Sequence, residues 1–282
     1  MKLRRSLYTF ALVICSAAGT YFVTVSTAQQ GAAVTQGTAD TAYQIGGTLY
    51  TQKAAEFRAL AYQAFNIARW QLDADLDKKN VKKLPKAEQK KPRAVMVDID
   101  ETMLDNSPAQ AYQITHHLGF NLKDWYAWGE MRKAKAIPGA VDFVNYATSK
   151  GVKVFFVSNR DEVQRQATID NLKGVGFQDV TNENLLLRAS ESSKEARREL
   201  ILQKHRIVLQ IGDNLDDHSN VFEKKSIADR FAETDKARGE WGKHWIVLPN
   251  ATYGSWENAI YEYSRLTEAQ KTDKRAAALE LP

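Results

Sequence analysis

The sequence predicts an α/β protein built on a doubly wound, parallel, Rossmann-like sheet with a small and mostly helical cap. The first observation is a series of short, nearly continuous apolar runs, at 94–97, 152–157, 185–187, 206–211 and 244–248. Such runs are typical of strands that are buried on both faces of a parallel sheet. The second observation is that helical patterns fill the gaps, at about 139–149, 162–175, 193–204 and 219–229. This alternation of strand and helix indicates a doubly wound α/β domain.

The first 28 residues have the pattern of a secretory signal peptide. A basic start precedes an apolar stretch over 7–25, and small residues at 26–28 predict cleavage after Ala28. The alternative is an uncleaved anchor, because about 19 apolar residues can just span a bilayer. Such an anchor would be the protein's only expected contact with a membrane. We do not expect a lipid anchor on Cys15, since Ile14 stands where that processing needs a small residue. We therefore expect export to the periplasm or cell envelope.

Most of the positive charge belongs to that same segment. The chain has 282 residues and a net charge of +5, with 39 Lys and Arg against 34 Asp and Glu. Residues 1–28 hold three basic residues and no acidic one, so the remainder carries a charge of +2. A nearly neutral protein is not expected to bind nucleic acid. The single Cys excludes an intramolecular disulfide and a metal site built from paired cysteines. The sequence leaves the oligomeric state open, with a homodimer among the options.

The rest of the chain divides into four predicted parts. Residues 49–76 lack Gly and Pro and have apolar residues at helical spacing, which predicts one long amphipathic helix. The Lys-rich run after it is expected to be a solvated linker, with a basic docking patch as the alternative. The parts are a flexible lead-in at 29–48, the helix and basic linker at 49–92, a core at 93–265 with a cap insertion at about 103–137, and a C-terminal tail at 266–282.

Polar residues that can carry chemistry follow three of the predicted strands. In doubly wound sheets the ligand binds outside the carboxyl ends of the strands, so these residues are expected to meet at one edge. They are Asp98, Asp100 and Thr102 after the first run, Ser158 and Asn159 after the second, Lys194 ahead of the fourth, and Asp213, Asp216 and Asp217 after the fourth.

This set of side chains favours phosphoryl transfer. Carboxylates hold Mg²⁺, and hydroxyl and ammonium donors such as Ser158 and Lys194 bind phosphate oxygens. A carboxylate nucleophile gives a covalent aspartyl-phosphate, and a second carboxylate two residues on can act as general acid and base. A single Asp after a strand is more often a turn or cap residue, but the ordered series at strand ends argues against coincidence.

These motifs make the sequence resemble the haloacid-dehalogenase (HAD) superfamily, and within it the class C bacterial acid phosphatases, the lipoprotein 5'-nucleotidase group. The resemblance covers about residues 50–265 and departs from the family pattern at His218, where Phe is usual, and at the missing lipid-anchor site. The stretches that carry it are VDIDETMLDNSP (97–108), SNR (158–160), Lys194, IGDNLDD (211–217) and LPNATYGSWE (248–257).

The resemblance implies a HAD-type core and a role for each site residue. Asp98 is the expected nucleophile and Asp100 the expected general acid and base. The expected Mg²⁺ ligands are Asp98, Asp213 and the backbone carbonyl of Asp100. Asp217, with Asp216 as the less favoured candidate, is expected to orient a water on the metal. The expected phosphate-binding residues are Thr102, Ser158, Asn159 and Lys194.

Aromatic residues suggest the substrate. The resemblance implies that Phe120 and Tyr253 stack a nucleobase, with Trp125 nearby; the alternative is that these rings pack in the core of the cap. The sequence thus predicts an exported, Mg²⁺-dependent phosphomonoesterase that acts on a small phosphate ester, a nucleoside 5'-monophosphate. Two alternatives are a broad-specificity acid phosphatase and a non-catalytic periplasmic binding module on the same fold.

Overall fold

Five parallel strands form the central sheet in the order β5-β4-β1-β6-β7. The structure, a computed structural model, describes residues 39–282, so the predicted signal peptide, Cys15 and the first half of the lead-in lie outside the described residues. The strands are β1 (Arg93–Val97), β4 (Lys153–Asp161), β5 (Leu185–Arg188), β6 (Arg206–Gly212) and β7 (Trp245–Val247), and a separate antiparallel pair comprises β2 (Leu104–Asp105) and β3 (Lys135–Ala136). Each predicted apolar run forms one strand of the sheet, and the predicted fold class is confirmed.

The central position of β1 decides where the functional residues meet. Val97 at its end pairs with Phe156 of β4 on one side and with Ile211 of β6 on the other. After β1 the chain builds the sheet outward through β4 and β5, then returns to add β6 and β7 on the opposite side. A crevice forms at the carboxyl end of the strand where this order reverses.

Helices cover both faces of the sheet. Those of the described residues are α1 (Ile45–Lys53), α2 (Ala55–Leu76), α3 (Lys78–Val81), α4 (Lys86–Lys90), α5 (Ser107–Thr115), α6 (Leu122–Met131), α7 (Ala140–Ser149), α8 (Arg165–Gly174), α9 (Glu195–Lys204), α10 (Ile227–Lys236), α11 (Ser255–Ile260) and α12 (Glu268–Ala277). In α2 the buried residues Phe57, Ala61, Ala64, Ala68 and Leu72 recur every three or four positions, which places one apolar stripe against the core.

Two of the predicted helices differ from the structure. The predicted helix over 49–76 is broken at Ala54, whose backbone is extended, because α1 packs against α5 whereas α2 packs against α7 and the sheet. The pattern at 219–229 gives a short 3₁₀ turn at Asn220–Phe222 and then α10, which extends to Lys236. Ser226 starts α10 by accepting a hydrogen bond from the amide of Asp229, at 3.1 Å.

The cap is the insertion between β1 and β4. It holds α5 and α6, and the β2–β3 pair joins its two ends through Leu104 opposite Ala136. Asn121 begins α6 by accepting a hydrogen bond from the amide of Asp124, at 2.9 Å. The β2–β3 pair fixes the cap beside the carboxyl end of β1, above the crevice.

The segments outside the core also have regular structure. The Lys-rich run forms the short helices α3 and α4, and the predicted tail contains α12. Arg275 of α12 lies 3.7 Å from the centroid of the Tyr43 ring and donates a hydrogen bond to the Tyr261 hydroxyl at 2.7 Å, which holds the tail against the body. Within residues 39–282 no helix is both long enough and apolar enough to cross a membrane.

Candidate active site

A tight turn directly after β1 places two carboxylates at the crevice. Glu101 has a φ of 58°, in the left-handed region, and the turn is closed by the amide of Met103 donating to the carbonyl of Ile99 at 2.8 Å. A non-glycine residue in this region is uncommon and costs conformational energy, so the surrounding contacts must hold it. As a result Asp98 and Asp100 both line one cleft of about 790 Å³.

Three carboxylates form a cluster at the floor of this cleft. Asp98, Asp213 and Asp217 each offer an oxygen, and these oxygens lie within 4.8 Å of one another. Lys194 is buried among them; its ammonium contacts Asp98 and lies 2.7 Å from Asp217. The ends of β1 and β6 and the start of α9 therefore meet at one point, as the sequence predicts.

Neighbouring residues fix the orientation of the cluster. Thr102 and Asn250 each donate a hydrogen bond to the Asp213 carboxylate, at 3.1 and 2.8 Å. Gly212 allows the close approach of Asp217, because a Cβ at position 212 would lie 2.5 Å from the Asp217 Cβ. Asp213 is thus held in place by donors from two different loops, and Asp217 by the space that Gly212 leaves.

The electrostatics of the cluster favour a bound cation. Burial raises the pKa of Asp98 well above its ordinary range, and the Asp217 and Asp213 carboxylates raise it further against the opposing effect of Lys194. Burial and the Asp217 carboxylate raise the pKa of Asp213 to about 7. Three oxygen donors that repel one another fit a hard divalent cation such as Mg²⁺, which prefers carboxylate ligands. Asp98, Asp213 and Asp217 are therefore the residues that can hold a metal here.

The raised pKa of Asp213 predicts a pH-dependent stability in the absence of metal. A carboxyl whose pKa is higher in the folded than in the unfolded chain makes the protein less stable as pH rises from about 4 towards that raised pKa. We expect the Tm of metal-free Asp213→Asn to exceed that of the wild type by more at pH 7 than at pH 5. Calorimetry in excess chelator measures both; a difference that shrinks with pH would contradict this electrostatic account.

Asp100 is turned toward a second set of contacts. Its carboxylate accepts hydrogen bonds from the Ser158 hydroxyl at 3.2 Å and from the side-chain amide of Asn106 at 2.8 Å. The guanidinium of Arg160 forms an ion pair with it at 2.7 Å. The two carboxylates of the first motif thus have different surroundings: Asp98 faces the ammonium of Lys194, and Asp100 faces a guanidinium.

The predicted phosphate-binding residues do not all reach the cleft. Lys194 and Asn159 line it, whereas Ser158 and Thr102 are fully buried behind it and bind carboxylates instead. Arg197, a residue that the sequence patterns did not single out, donates to the Ser158 carbonyl and to the Asn159 side chain, both at 2.6 Å. Arg197 thereby fixes the last residues of β4.

Two residues near the fourth motif lie apart from the cluster. Asp216 is paired with Arg230 at 2.9 Å and accepts a hydrogen bond from Ser255, so its carboxylate is engaged away from Asp98. His218 is buried, with its ring centroid 5.6 and 5.9 Å from those of Trp241 and Trp245, and burial lowers its pKa to about 4. His218 thus fills an aromatic cluster as an uncharged ring.

The three predicted stacking residues line the cleft. Phe120 and Tyr253 are 68% and 37% exposed, so neither is a core residue of the cap. The Phe120 ring lies 6.4 Å from that of Trp125, and Tyr253 belongs to no aromatic pair within residues 39–282. Exposed ring faces in a cleft can accept a flat ligand, which the packed alternative would not allow.

The sequence patterns gave no role to three residues that shape the site. Arg160 and Asn250 stand within the quoted motifs and Arg197 stands three residues after Lys194, so each is close in sequence to a residue with a more familiar function. A usable signal existed for Arg160, since it is two positions after Ser158 on an extended strand and so faces the same side. A charge on the buried side of a strand needs a partner, and that partner is Asp100.

Comparisons with known proteins agree with this fold. A class C acid phosphatase from Bacillus anthracis has a structure that superimposes with a TM-score of 0.79 and 39% identity, over 86% of this chain and 98% of that chain. Its tungstate-bound structure gives a TM-score of 0.80 with the same identity and coverage. Acid phosphatase 1 of Solanum lycopersicum is 30% identical over 131 residues, so the match spans 43% of this chain and about half of that protein, 49%.

The family assignment rests on most of the chain. The family model of the HAD superfamily, subfamily IIIB (Acid phosphatase), matches residues 15–256. This range contains all of the quoted motif stretches except Glu257, the last residue of the final stretch. The chain therefore belongs to subfamily IIIB of the HAD superfamily, the acid phosphatases.

Proposed function

We propose that this protein is an exported, Mg²⁺-dependent phosphomonoesterase that acts through a phosphorylated Asp98. The observation that carries the proposal is the position of the Asp98 carboxylate at the floor of the cleft, beside Lys194 and within the acidic cluster. Lys194 contacts Oδ1 of Asp98, and no donor within residues 39–282 forms a hydrogen bond to Oδ2. Oδ2 is therefore the atom that is available to attack phosphorus.

In the first step a bond forms between Oδ2 of Asp98 and phosphorus, while the bond from phosphorus to the ester oxygen breaks. Asp100 transfers a proton to the leaving oxygen, so the organic part departs as an alcohol. In the second step Asp100 takes a proton from water, whose oxygen attacks phosphorus and releases inorganic phosphate and free Asp98. Splitting hydrolysis in this way replaces one difficult displacement by two easier ones.

Charge near the phosphate is balanced by the chain's own cation and by the metal. Lys194 and the Asn159 side chain, which line the cleft, bind phosphate oxygens. Asp98, Asp213 and the backbone carbonyl of Asp100 would hold Mg²⁺, and Asp217, which can also offer an oxygen to the cation, would orient a water beside it while it holds Lys194. When bound, Mg²⁺ supplies the positive charge that lets an anionic nucleophile approach an anionic phosphate. The tungstate in the Bacillus anthracis relative, a tetrahedral oxyanion, supports an oxyanion site in this fold.

The preferred substrate in this proposal is a nucleoside 5'-monophosphate. Phe120, Trp125 and Tyr253 line the same cleft as Asp98, so a base can lie against them while the 5'-phosphate reaches the carboxylates. Stacking on an aromatic side chain contributes on the order of 1–3 kcal/mol per base. The exposure of Phe120 and Tyr253 at the rim also suits the alternative, a broad-specificity phosphatase that uses only the phosphate end.

A substrate comparison with one ring removed separates these two functions. We expect Tyr253→Ala to lower kcat/KM for a nucleoside 5'-monophosphate by roughly 5- to 100-fold, the loss of one stacking contact. Its kcat/KM for glycerol phosphate should stay within twofold of the wild type. Tyr62→Ala, which removes a similarly exposed ring outside the cleft, is the matched control. Equal kcat/KM for both esters in the wild type, unchanged by Tyr253→Ala, would favour broad specificity.

Export is proposed from the sequence pattern of residues 1–28 alone. Cleavage after Ala28 gives a mature chain that begins at Gln29 and has no cysteine. N-terminal sequencing of the protein recovered from the periplasm or medium tests this; an N-terminus at Met1 would support the anchored alternative.

A further inference from the structure

Arg160 is an almost fully buried arginine at the end of β4, with 2% of its surface exposed. Its Nη2 and Nε donate to Oδ1 of Asp100 at 2.7 and 3.0 Å, and Nε also lies 3.2 Å from Oδ2. A buried guanidinium is costly unless it is paired and fully hydrogen-bonded. The bidentate pair therefore fixes the direction of the Asp100 carboxylate as firmly as it fixes Arg160.

The same guanidinium is bonded to the cap. Nη2 lies 3.4 Å from Oδ1 of Asn106, and the centre of the group lies 5.4 Å from the centroid of the Trp125 ring. Asn106 in turn donates to Asp100 at 2.8 Å and accepts a hydrogen bond from the indole of Trp128 at 2.8 Å. Asp100 is thus joined through Arg160 and Asn106 to two aromatic residues of α6.

A fourth contact anchors the far end of the guanidinium. Nη1 donates to the hydroxyl of Thr168 at 3.1 Å, so Arg160 is held by the core helix α8 as well as by the cap. Side chains locked in this way keep a reacting group within the small angular range that proton transfer requires. Removing the guanidinium would leave Asp100 with the neutral donors Asn106 and Ser158.

From this network we infer that Arg160 is a positioning residue, which orients the Asp100 carboxylate toward the leaving oxygen of the ester. Its contacts with Asn106 and Trp125 couple this orientation to the position of the cap. The inference rests on the proposed function, because it concerns proton transfer to the alcohol that leaves in the first step. Arg160 itself touches neither phosphorus nor the breaking bond in this assignment.

A misaimed general acid has a distinctive kinetic effect. A leaving group that is a weak base departs without help, whereas a strongly basic one needs the proton. Since kcat/KM reports the steps up to release of the alcohol, the dependence of kcat/KM on leaving-group basicity measures how well Asp100 delivers its proton. A purely structural loss would lower kcat/KM by the same factor for every ester.

The test uses a series of substituted phenyl phosphates that differ in the basicity of the phenol but little in shape. We expect Arg160→Gln to lower kcat/KM by about 10²-fold for the most basic phenol, the usual worth of a general acid, and by less than about fivefold for p-nitrophenol. Asp100→Asn should steepen the dependence similarly, and the double variant should lose little more than Asp100→Asn alone, because the two residues act as a unit. Arg132→Gln, an exposed arginine of the cap paired with Asp170, is the matched control.

A second variant keeps the test decisive if Arg160→Gln does not fold. Trp125→Leu removes the ring beside the guanidinium but leaves the Arg160–Asp100 pair intact, and we expect it to steepen the same dependence to a smaller extent. An unchanged slope in both variants, or a uniform loss across the series, would overturn the positioning role. Failure of the wild type to hydrolyse both the esters of the series and a nucleoside 5'-monophosphate would instead overturn the proposed function.

Discussion

Asp98→Asn is expected to lower kcat for every phosphate ester by about 10⁴-fold or more, the usual result of removing a covalent nucleophile. The amide keeps the shape of the side chain but cannot form the acyl phosphate. The fold should be retained, because Lys194 keeps its partner Asp217 at 2.7 Å. The variant also removes the cost of burying a charge and the repulsion by Asp217 and Asp213, which together raise the pKa of Asp98, so its Tm should equal or exceed that of the metal-free wild type at pH 7.

The control for this variant is Asp142→Asn, which makes the same chemical change on the exposed surface of α7. Its kcat should stay within twofold of the wild type. Residual hydrolysis by Asp98→Asn within tenfold of the wild type, with unchanged near-ultraviolet circular dichroism, would exclude Asp98 as the nucleophile.

Asp213→Asn is expected to abolish the activation by Mg²⁺, because it removes the cation site. In the wild type, excess chelator should reduce kcat/KM at least about 10²-fold, and added Mg²⁺ should restore it. In Asp213→Asn, Mg²⁺ should restore little activity, and its affinity for the metal, measured by calorimetric titration, should fall by at least about 10- to 100-fold. The physical reason is that one of three mutually repelling carboxylates is lost, and with it much of the attraction for a divalent ion.

A matched control distinguishes loss of the metal from a general disturbance of the loop after β6. Asp216 lies three residues further on but is bonded to Arg230 and Ser255. Asp216→Asn should keep the Mg²⁺ affinity of the wild type even if its Tm falls. A wild type that is fully active in chelator, or an Asp213→Asn variant with unchanged metal affinity, would contradict the assignment of this site.

The sheet was predictable because its central strand β1 is buried on both faces. A run such as 94–97 has no polar residue on either face, which is typical of an interior strand, and the order of runs and helices then predicts the crevice beside β1. The position of the carboxylates at that edge was predicted by the same reasoning. The cluster of Asp98, Asp213 and Asp217 around Lys194 needed no information beyond strand ends and the motifs.

Features that depend on tertiary contacts were not predictable. The break at Ala54 arises because α1 and α2 pack on different partners, although their combined sequence has one helical period. The hydrogen bonds of Ser158 and Thr102 to carboxylates could not be read from their positions after strands, since a hydroxyl there can face either the cleft or the core. The role of the tail likewise depends on the contact of Arg275 with Tyr43, more than 200 residues away in the chain.

The most direct test of the central claim is to look for the phosphoryl group on Asp98. Wild-type protein mixed with substrate and Mg²⁺, quenched in acid within the time of one turnover and digested, should yield a peptide containing Asp98 that carries the added mass of one phosphoryl group. Fragmentation of that peptide should assign the group to Asp98, and Asp98→Asn treated in the same way should show none. Turnover without any phosphorylated peptide, or a phosphoryl group on another residue, would contradict the account.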